Sequence, residues 1–447
     1  MSDEREMTRR EFFEDLADSR IIRGEMTMRE DLHGNKVSLL GYGAMRLPTK
    51  DGGHANSFMK DASTQAIDQD EVNRQVDFAL EHGVNYFDTS PAYCRGESET
   101  VMGKALSRHP RDKYFIATKL SNFAPQQYPL EASKAMFENS LKALQTAYID
   151  YYLLHAIGNG GFETFKQRYL DNGALDWLVE ERKAGRIRNL GFSFHGDAKA
   201  FEWCIENHPK YKWDFCQIQM NYVDWLHAKE VNERNLDAKY LYETLDANNI
   251  PIVIMEPLLG GRLARFNYAV ATKLKNMDAE ATIPSWSFRF CGTFPRVLTI
   301  LSGMTRMEHL EENIATLSPL VPLKQKELDQ LEEVAQLMLQ NKTIPCNLCQ
   351  YCMPCPYGID IPGIFDCWNR ACTDDRLPDN PNSLSYVSNR KAFLKDYDAS
   401  MPHLRQAAHC IGCGRCNHHC PQRIDIPKRL EEIDIFVANL RKEERAW

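Results

Sequence analysis

From Val37 onward the chain alternates short apolar or β-branched runs with stretches whose apolar residues recur at the three- and four-residue spacing of an amphipathic helix. Eight runs carry the strand pattern: SLLGYG around Leu39, VNYF from Val84, YFIAT from Tyr114, IDYYLL from Ile149, IRNLGF from Ile187, FCQIQM from Phe215, IPIVIM from Ile250 and VLTILS from Val297. Helical stretches between them show their own ends. EVNRQVDFALEHG stops at Gly83 and ALDWLVEERKAG at Gly185, where a left-handed C-cap favours glycine, and ETVMGKALSRH halts before Pro110. Eight successive strand and helix units predict an α/β fold, a (β/α)8 TIM barrel. An open doubly wound sheet is the alternative. Its first turn should read G-x-G-x-x-G, and Gly41-Tyr42-Gly43 is followed by no third glycine at the right offset.

The pattern assigns residues 37–318 to the barrel and 1–36 to an N-terminal extension. LKQKELDQLEEVAQLMLQ predicts a charged linking helix within 319–340. From a boundary near Asn341 to residue 447 the chain changes character and becomes rich in cysteine, with the insert RLPDNPNSLSYVSNR reading as loop.

Two cysteine stretches form an internal repeat. The first, CNLCQYCMPCPYGIDIP, runs from Cys346 to Pro362, and the second, CIGCGRCNHHCPQRIDIP, from Cys410 to Pro427; both end in CPxxIDIP. Paired CxxC units are also how zinc ribbons are written, but zinc predicts neither a third cysteine at the same interval nor a proline directly after the fourth. Disulfides at such short spacing would be strained. The second stretch is C-x2-C-x2-C-x3-C-P and resembles bacterial ferredoxins that hold two [4Fe-4S] clusters; the first has two residues instead of three before its last cysteine. The resemblance implies a small α-helical ferredoxin-like domain in which each motif lends its fourth thiolate to the other cluster. Cys346, Cys349, Cys352 and Cys420 would then hold one cluster, and Cys410, Cys413, Cys416 and Cys355 the second. Cys94, Cys367 and Cys372 read as packing residues.

A net charge of -8 and a pI near 5.9 argue against nucleic acid as the main partner. No apolar run approaches a membrane span. Near the start, MTRREFFEDLADSR carries Arg9-Arg10 and two phenylalanines, but Glu14, Asp15, Asp18 and Arg20 occupy the place where an export signal needs apolar residues. An amphipathic helix or frayed tail is the better reading. The cytoplasm, where fourteen cysteines stay reduced, is the expected location.

In a barrel of this kind chemistry lies where strands end and βα loops begin. The predicted strand ends supply Asp88, Lys119, His155, Ser193 and Gln219, with Tyr93 in the loop after Asp88. Each has an ordinary structural explanation alone: a helix cap, a rim ion pair, a buried histidine. An acid, an ammonium, an imidazole and a phenol on successive strand ends together favour an active site. Arg46, just past the first strand, reads as a rim salt bridge or a contact for an anionic substrate.

GVNYFDTSPAYCRGESETVMGKAL, FIATKL, IDYYLLHA, IRNLGFSFHG and the MNY after Gln219 resemble the aldo-keto reductase superfamily over roughly Val37 to Ser318. With the cysteine motifs appended, the whole chain resembles the branch carrying a C-terminal ferredoxin-like domain. The resemblance implies an oxidoreductase acting on a small carbonyl or alcohol. Tyr93 would be general acid, Lys119 would lower its pKa, Asp88 would hold the lysine charged, and His155 would orient the carbonyl. It also implies NADP(H), with Gly43, Ala44, Ser193 and Gln219 near the nicotinamide and Gly303, Arg306 and Asn313, in SGMTRMEHLEEN, gripping the adenosine phosphate. Three positions differ from the family's pattern. Phe194 replaces an asparagine, Met255 a stacking tyrosine, and Glu256 brings negative charge toward the pyrophosphate. A barrel rim also binds flavin phosphate without an obvious signature. Three readings follow: clusters relaying single electrons to a ferredoxin or another carrier, an NADPH-dependent reductase with structural clusters, and a non-catalytic redox-sensing or binding subunit.

Overall fold

The computed structural model describes residues 22–55, 66–232, 235–266, 268–340, 342–420 and 422–445. The Arg9-Arg10 segment and the boundary residue Asn341 lie outside them. An antiparallel hairpin of β1 (Met28–Glu30) and β2 (Lys36–Ser38) precedes β3 (Leu40–Gly43), β4 (Tyr86–Asp88), β5 (Phe115–Leu120), β6 (Ile149–Ile157), β7 (Ile187–Phe194), β8 (Phe215–Gln219), β9 (Ile252–Met255) and β10 (Val297–Ser302). Strands β3 to β10 form one closed parallel barrel, sealed where β10 pairs with β3. That pairing removes the open-sheet alternative, and all eight strands coincide with the eight predicted runs.

Side-chain alternation explains why these segments are apolar throughout. Tyr86, Ala117, Tyr151, Leu153, Phe215 and Val253 fill the interior, while Tyr152, Leu154, Phe192 and Ile254 face the surrounding helices. Burying each such side chain contributes about 1.5–3 kcal/mol. The hairpin, which periodicity does not reveal, closes the far end of the barrel. Its buried Asp31 accepts the Tyr151 hydroxyl hydrogen bond at 2.7 Å and also orders its own turn by accepting from the amides of His33 and Asn35.

A helix runs Gln325–Leu339, and its Leu331, Val334, Ala335 and Met338 pack into the barrel's apolar core. Beyond it a second apolar cluster, separate from the barrel's, gathers Ile359, Ile364, Phe365, Phe393, Tyr397, Ile433 and Val437. The helices that carry it are Ile361–Thr373, Tyr386–Ser400 and Ile426–Arg445. Both IDIP tails turn out to be helix starts. Asp360 caps the first by accepting from the Gly363 amide, with Pro362 in the opening turn where its missing N–H costs nothing. The insert reading needs one correction: only its first part is irregular, and YVSNR opens the second helix. Its Asn and Ser residues suggest a loop, but Tyr386, Arg390, Phe393, Leu394 and Tyr397 recur along one face and are buried.

Candidate active site

The rim is assembled by register. Gly43 lies beside Asp88 on β4, Asp88 beside Ala117 on β5, and Lys119 beside Leu153 on β6, so the strands present Asp88, Lys119 and His155 at the same end. Lys119 is fully buried and donates to both Asp88 carboxylate oxygens, at 2.7 and 2.6 Å, and to the Thr89 carbonyl at 2.8 Å. Burial raises the Asp88 carboxyl and lowers the Lys119 ammonium, and each opposes the shift of the other. All three ammonium protons are therefore committed to Asp88 and Thr89.

Tyr93 sits over this pair, its ring centroid 4.9 Å from the lysine nitrogen and 5.9 Å from the His155 ring. Its phenol is pushed well above the ordinary value, first by burial and then by the Asp88, Tyr351 and Glu256 charges. The expectation that Lys119 lowers it is not met here, because the ammonium points to carboxylate instead of phenol. His155 is held neutral, well below its usual pKa, by burial and by the positive charges of Lys119, His195 and Arg168. Its Nδ1 meets the Ser121 hydroxyl at 2.6 Å, leaving Nε2 for the cavity. Ser121 is itself held by Ser90 at 2.8 Å. Neither serine is flagged by motif. Their signal is position, since each lies two residues past Asp88 or Lys119 and so on the same side of an extended chain.

Strain collects at the same rim. Cys94, Arg95, Ala156 and Glu256 all have positive φ, between 49° and 59°, directly after site positions. The cavity at this rim is about 1220 Å³ and is lined by Asp88, Tyr93, His155, Gln217, Gln219 and Glu256, with Ala156 beside them. The residues expected to hold NADP(H) divide. Of those expected near the nicotinamide, Gly43 and Gln219 line the cavity and Ala44 and Ser193 do not; of those expected at the adenosine phosphate, Gly303 lines it and Arg306 and Asn313 do not. Ser193 turns instead to the backbone, accepting from the Ala156 amide at 2.8 Å, and Asn313 donates to the buried Ser302 hydroxyl. Phe194 packs on Phe201 beneath a helix, while Met255 borders the cavity. Gln217, which sequence reasoning missed, has a buried side-chain oxygen without a partner among the described residues, a spare acceptor that fits a carboxamide N–H.

The C-terminal unit reaches into this cavity. Asn347, Cys349, Tyr351, His418, His419, Gln422 and Arg423 share its wall with Tyr93. Among the described residues Arg46 pairs with no carboxylate across the rim; its guanidinium donates to the Asn347 carbonyl. The Asn347 side chain donates to Glu256 at 3.1 Å. Gly260, at φ +68°, lets the chain pass: a Cβ there would lie 2.0 Å from that of Asn347.

All fourteen cysteines are free thiols. Cys94, Cys367 and Cys372 are buried. Cys346, Cys349, Cys352 and Cys420 surround a small cavity completed by Pro362, Phe365, Ile424 and Ile426. Burial raises Cys346 to about 12, and neighbouring Cys420 adds to the shift. Cys416 is raised to about 11, first by burial and then by Cys410, Cys413 and Cys355. The chain thus brings Cys420 to the first motif and Cys355 to the second. Among the described residues no three His, Cys, Asp or Glu side chains converge closely enough to hold a single metal ion. A ring of thiols around an apolar hollow fits a larger sulfur-bridged group, with the four cysteines as ligands. No helix among the described residues is long and apolar enough to cross a membrane.

Comparison with known proteins places these features. Residues 39–336 match the Aldo/keto reductase family, a span that ends before the first cysteine motif. L-galactose dehydrogenase of Arabidopsis thaliana is 24% identical over 335 residues, covering 71% of this chain and 96% of that protein. D-arabinose 1-dehydrogenase of Saccharomyces cerevisiae is 33% identical over 124 residues, 26% of this chain and 35% of that one. Among solved structures, an aldo-keto reductase from Klebsiella pneumoniae in complex with NADPH superposes with a TM-score of 0.53 at 20% identity, covering 71% of this chain and 98% of the other. Its likeness is one of fold.

Proposed function

The chain belongs to the aldo/keto reductase family and is an oxidoreductase; on that footing we propose that it interconverts a small carbonyl and its alcohol at Tyr93, with two [4Fe-4S] clusters in the C-terminal unit exchanging electrons with an outside carrier. The observation that carries this reading is the shared cavity, whose wall joins Tyr93 and His155 to Cys349 and Tyr351 of the cysteine unit.

In the reducing direction Tyr93 gives its proton to the carbonyl oxygen. Burial raises the phenol, so it rests protonated but is a weaker acid than a free phenol, and its proton moves only as negative charge develops on the carbonyl oxygen. Neutral His155, fixed by Ser121 through Nδ1, offers Nε2 to the same oxygen without placing a cation beside Lys119. The Asp88–Lys119 pair holds charge beneath the tyrosine ring and resists reorganisation as charge moves above it. Bound NADP(H) would supply the hydride, which with the Tyr93 proton completes the reduction, and passing those electrons on to one-electron clusters would need a bound flavin as splitter. Gly43, Gln217 and Gln219 would meet the nicotinamide and Gly303 the adenosine phosphate, and their place in the cavity wall supports NADP(H) as the hydride source. Cys346, Cys349, Cys352 and Cys420 would hold one cluster and Cys355, Cys410, Cys413 and Cys416 the other. Cys413 is exposed, as is Ile411 beside it, which suits a docking ferredoxin or similar carrier.

The test is anaerobic purification followed by iron and acid-labile sulfide analysis, electron paramagnetic resonance, and turnover of sugar aldehydes, the substrate class in the names of two relatives. Eight irons per chain and carbonyl turnover are expected. Zinc in place of iron would remove the cluster reading, and a complete absence of carbonyl turnover with loaded protein would remove the reaction.

A further inference from the structure

Seven residues of the cysteine unit line the barrel's cavity: Asn347, Cys349 and Tyr351 from the first motif, and His418, His419, Gln422 and Arg423 from the second. The second group is not a random sample of its motif. All four flank Cys420, the one thiol that this stretch places with Cys346, Cys349 and Cys352. Cys355, Cys410, Cys413 and Cys416 contribute nothing to the wall, and Cys413 faces solvent. Cys349 is the one thiol of the eight in the cavity wall, so the ring of Cys346, Cys349, Cys352 and Cys420 is the one nearer the active site.

The joint between cavity and inner ring is polar and closely fitted. Arg46 lies along Gly303, and its guanidinium donates to the carbonyl of Asn347, the residue after Cys346. The Asn347 amide donates to Glu256, whose other carboxylate oxygen is buried without a partner among the described residues and whose backbone is held at φ 55°. Asn347 itself is 5% exposed and pressed against Gly260. Arg46 is half-buried, so its positive charge is screened less than one on the open surface.

We infer that the ring of Cys346, Cys349, Cys352 and Cys420 is the site-facing one, and that Arg46 is a positioning residue whose positive charge raises the reduction potential of the group held there, leaving that of the outer ring unchanged. The inference rests on the cluster reading above and adds an order to it. It also gives Arg46 a use that is neither substrate contact nor rim ion pair. Adding an electron to the inner ring adds negative charge beside the guanidinium, so removing the guanidinium disfavours the reduced form.

The experiment is an anaerobic redox titration of the full-length holoprotein, followed by electron paramagnetic resonance, for the native chain, Arg46→Gln and Arg46→Lys. Cys349→Ser, which alters one inner ligand, identifies the inner signal by its changed line shape. Arg46→Gln should make that signal harder to reduce by a factor on the order of ten, about 59 mV for a one-electron couple, and Arg46→Lys should recover most of the shift. The other signal should stay where it is. A merely structural role for Arg46 predicts broadened or lost signal at unchanged potential, and that result overturns the inference. So does a shift shared by both signals or confined to the outer one. Should Arg46→Gln fail to accumulate, Arg46→Lys against the native chain still decides through the sign of its smaller shift. Native protein without iron would instead end the cluster reading itself, so the two failures are distinguishable.

Discussion

The barrel rim and the cysteine unit solve the same problem by opposite means. Both collect functional groups far apart in sequence, but the rim hangs them on strand ends and the cysteine unit on irregular chain. Asp88, Lys119 and His155 are placed by a closed ladder of backbone hydrogen bonds, and the lysine is locked by three acceptors before any ligand arrives. The cysteines of the first motif sit in a segment without regular structure, with Leu348 and Gln350 at positive φ, leaning on a core far smaller than the barrel's. A site built on strands is preorganised by its fold, whereas thiols on loops owe much of their order to the group that they bind.

The sharpest break in the comparison is chemical. Replacing Tyr93 by Phe keeps the ring over Lys119 and deletes the donated proton, so carbonyl turnover should fall on the order of a hundredfold or more. Iron content should be untouched; steady-state kinetics beside an iron assay checks both. On the other side, Cys420→Ala should cost about half the iron and remove the signal of the ring built from the first motif, although Cys420 belongs to the second. Loss of the other signal would mean that the motifs do not exchange ligands.

Gly260 tests the seam between the two regions. An alanine there meets both a left-handed backbone and the Asn347 Cβ, at a cost of about 1–3 kcal/mol. Because the strain falls on the junction, limited proteolysis should release the C-terminal unit faster while barrel unfolding changes little. Equal destabilisation of both would show that they unfold as one.

The smallest expected effect concerns the barrel alone. Burial raises the Glu99 carboxyl to about 7, above its ordinary 4.5, while Thr118 donates to it. The folded chain then holds a proton that the unfolded chain releases, so this contribution is complete below pH 4.5 and is lost as pH rises through 7. Between about pH 5 and 8.5 the native protein should lose on the order of 1–3 kcal/mol relative to Glu99→Gln. Denaturant midpoints of both proteins at the two ends of that range measure it.

Much of the site was legible before the fold. A strand that must be apolar to be buried, and that then ends in Asp, Lys or His, advertises the exception, and regular strand geometry carries Asp88, Lys119 and His155 to one rim. Ser193 shows where that logic stops. Its position on β7 was legible, but its rotation toward the Ala156 amide depends on that residue's left-handed backbone on the neighbouring strand. The helix at Tyr386 was hidden for a similar reason. Its Ser and Asn residues are poor helix formers, and packing of Tyr386, Phe393 and Tyr397 against the second core outweighs that local preference.

By itself the sequence determined the eight strand and helix units, the oxidoreductase rim and the repeated cysteine motif, because each is written in spacing and spacing survives without coordinates. Only the tertiary structure decided that Lys119 spends its protons on Asp88 and Thr89 instead of Tyr93, and that Arg46, Glu256 and Gly260 close around Asn347. Those outcomes depend on side-chain direction and on contacts between residues as far as 301 positions apart, where burial and competition among hydrogen-bond partners decide, and no local pattern records which partner wins.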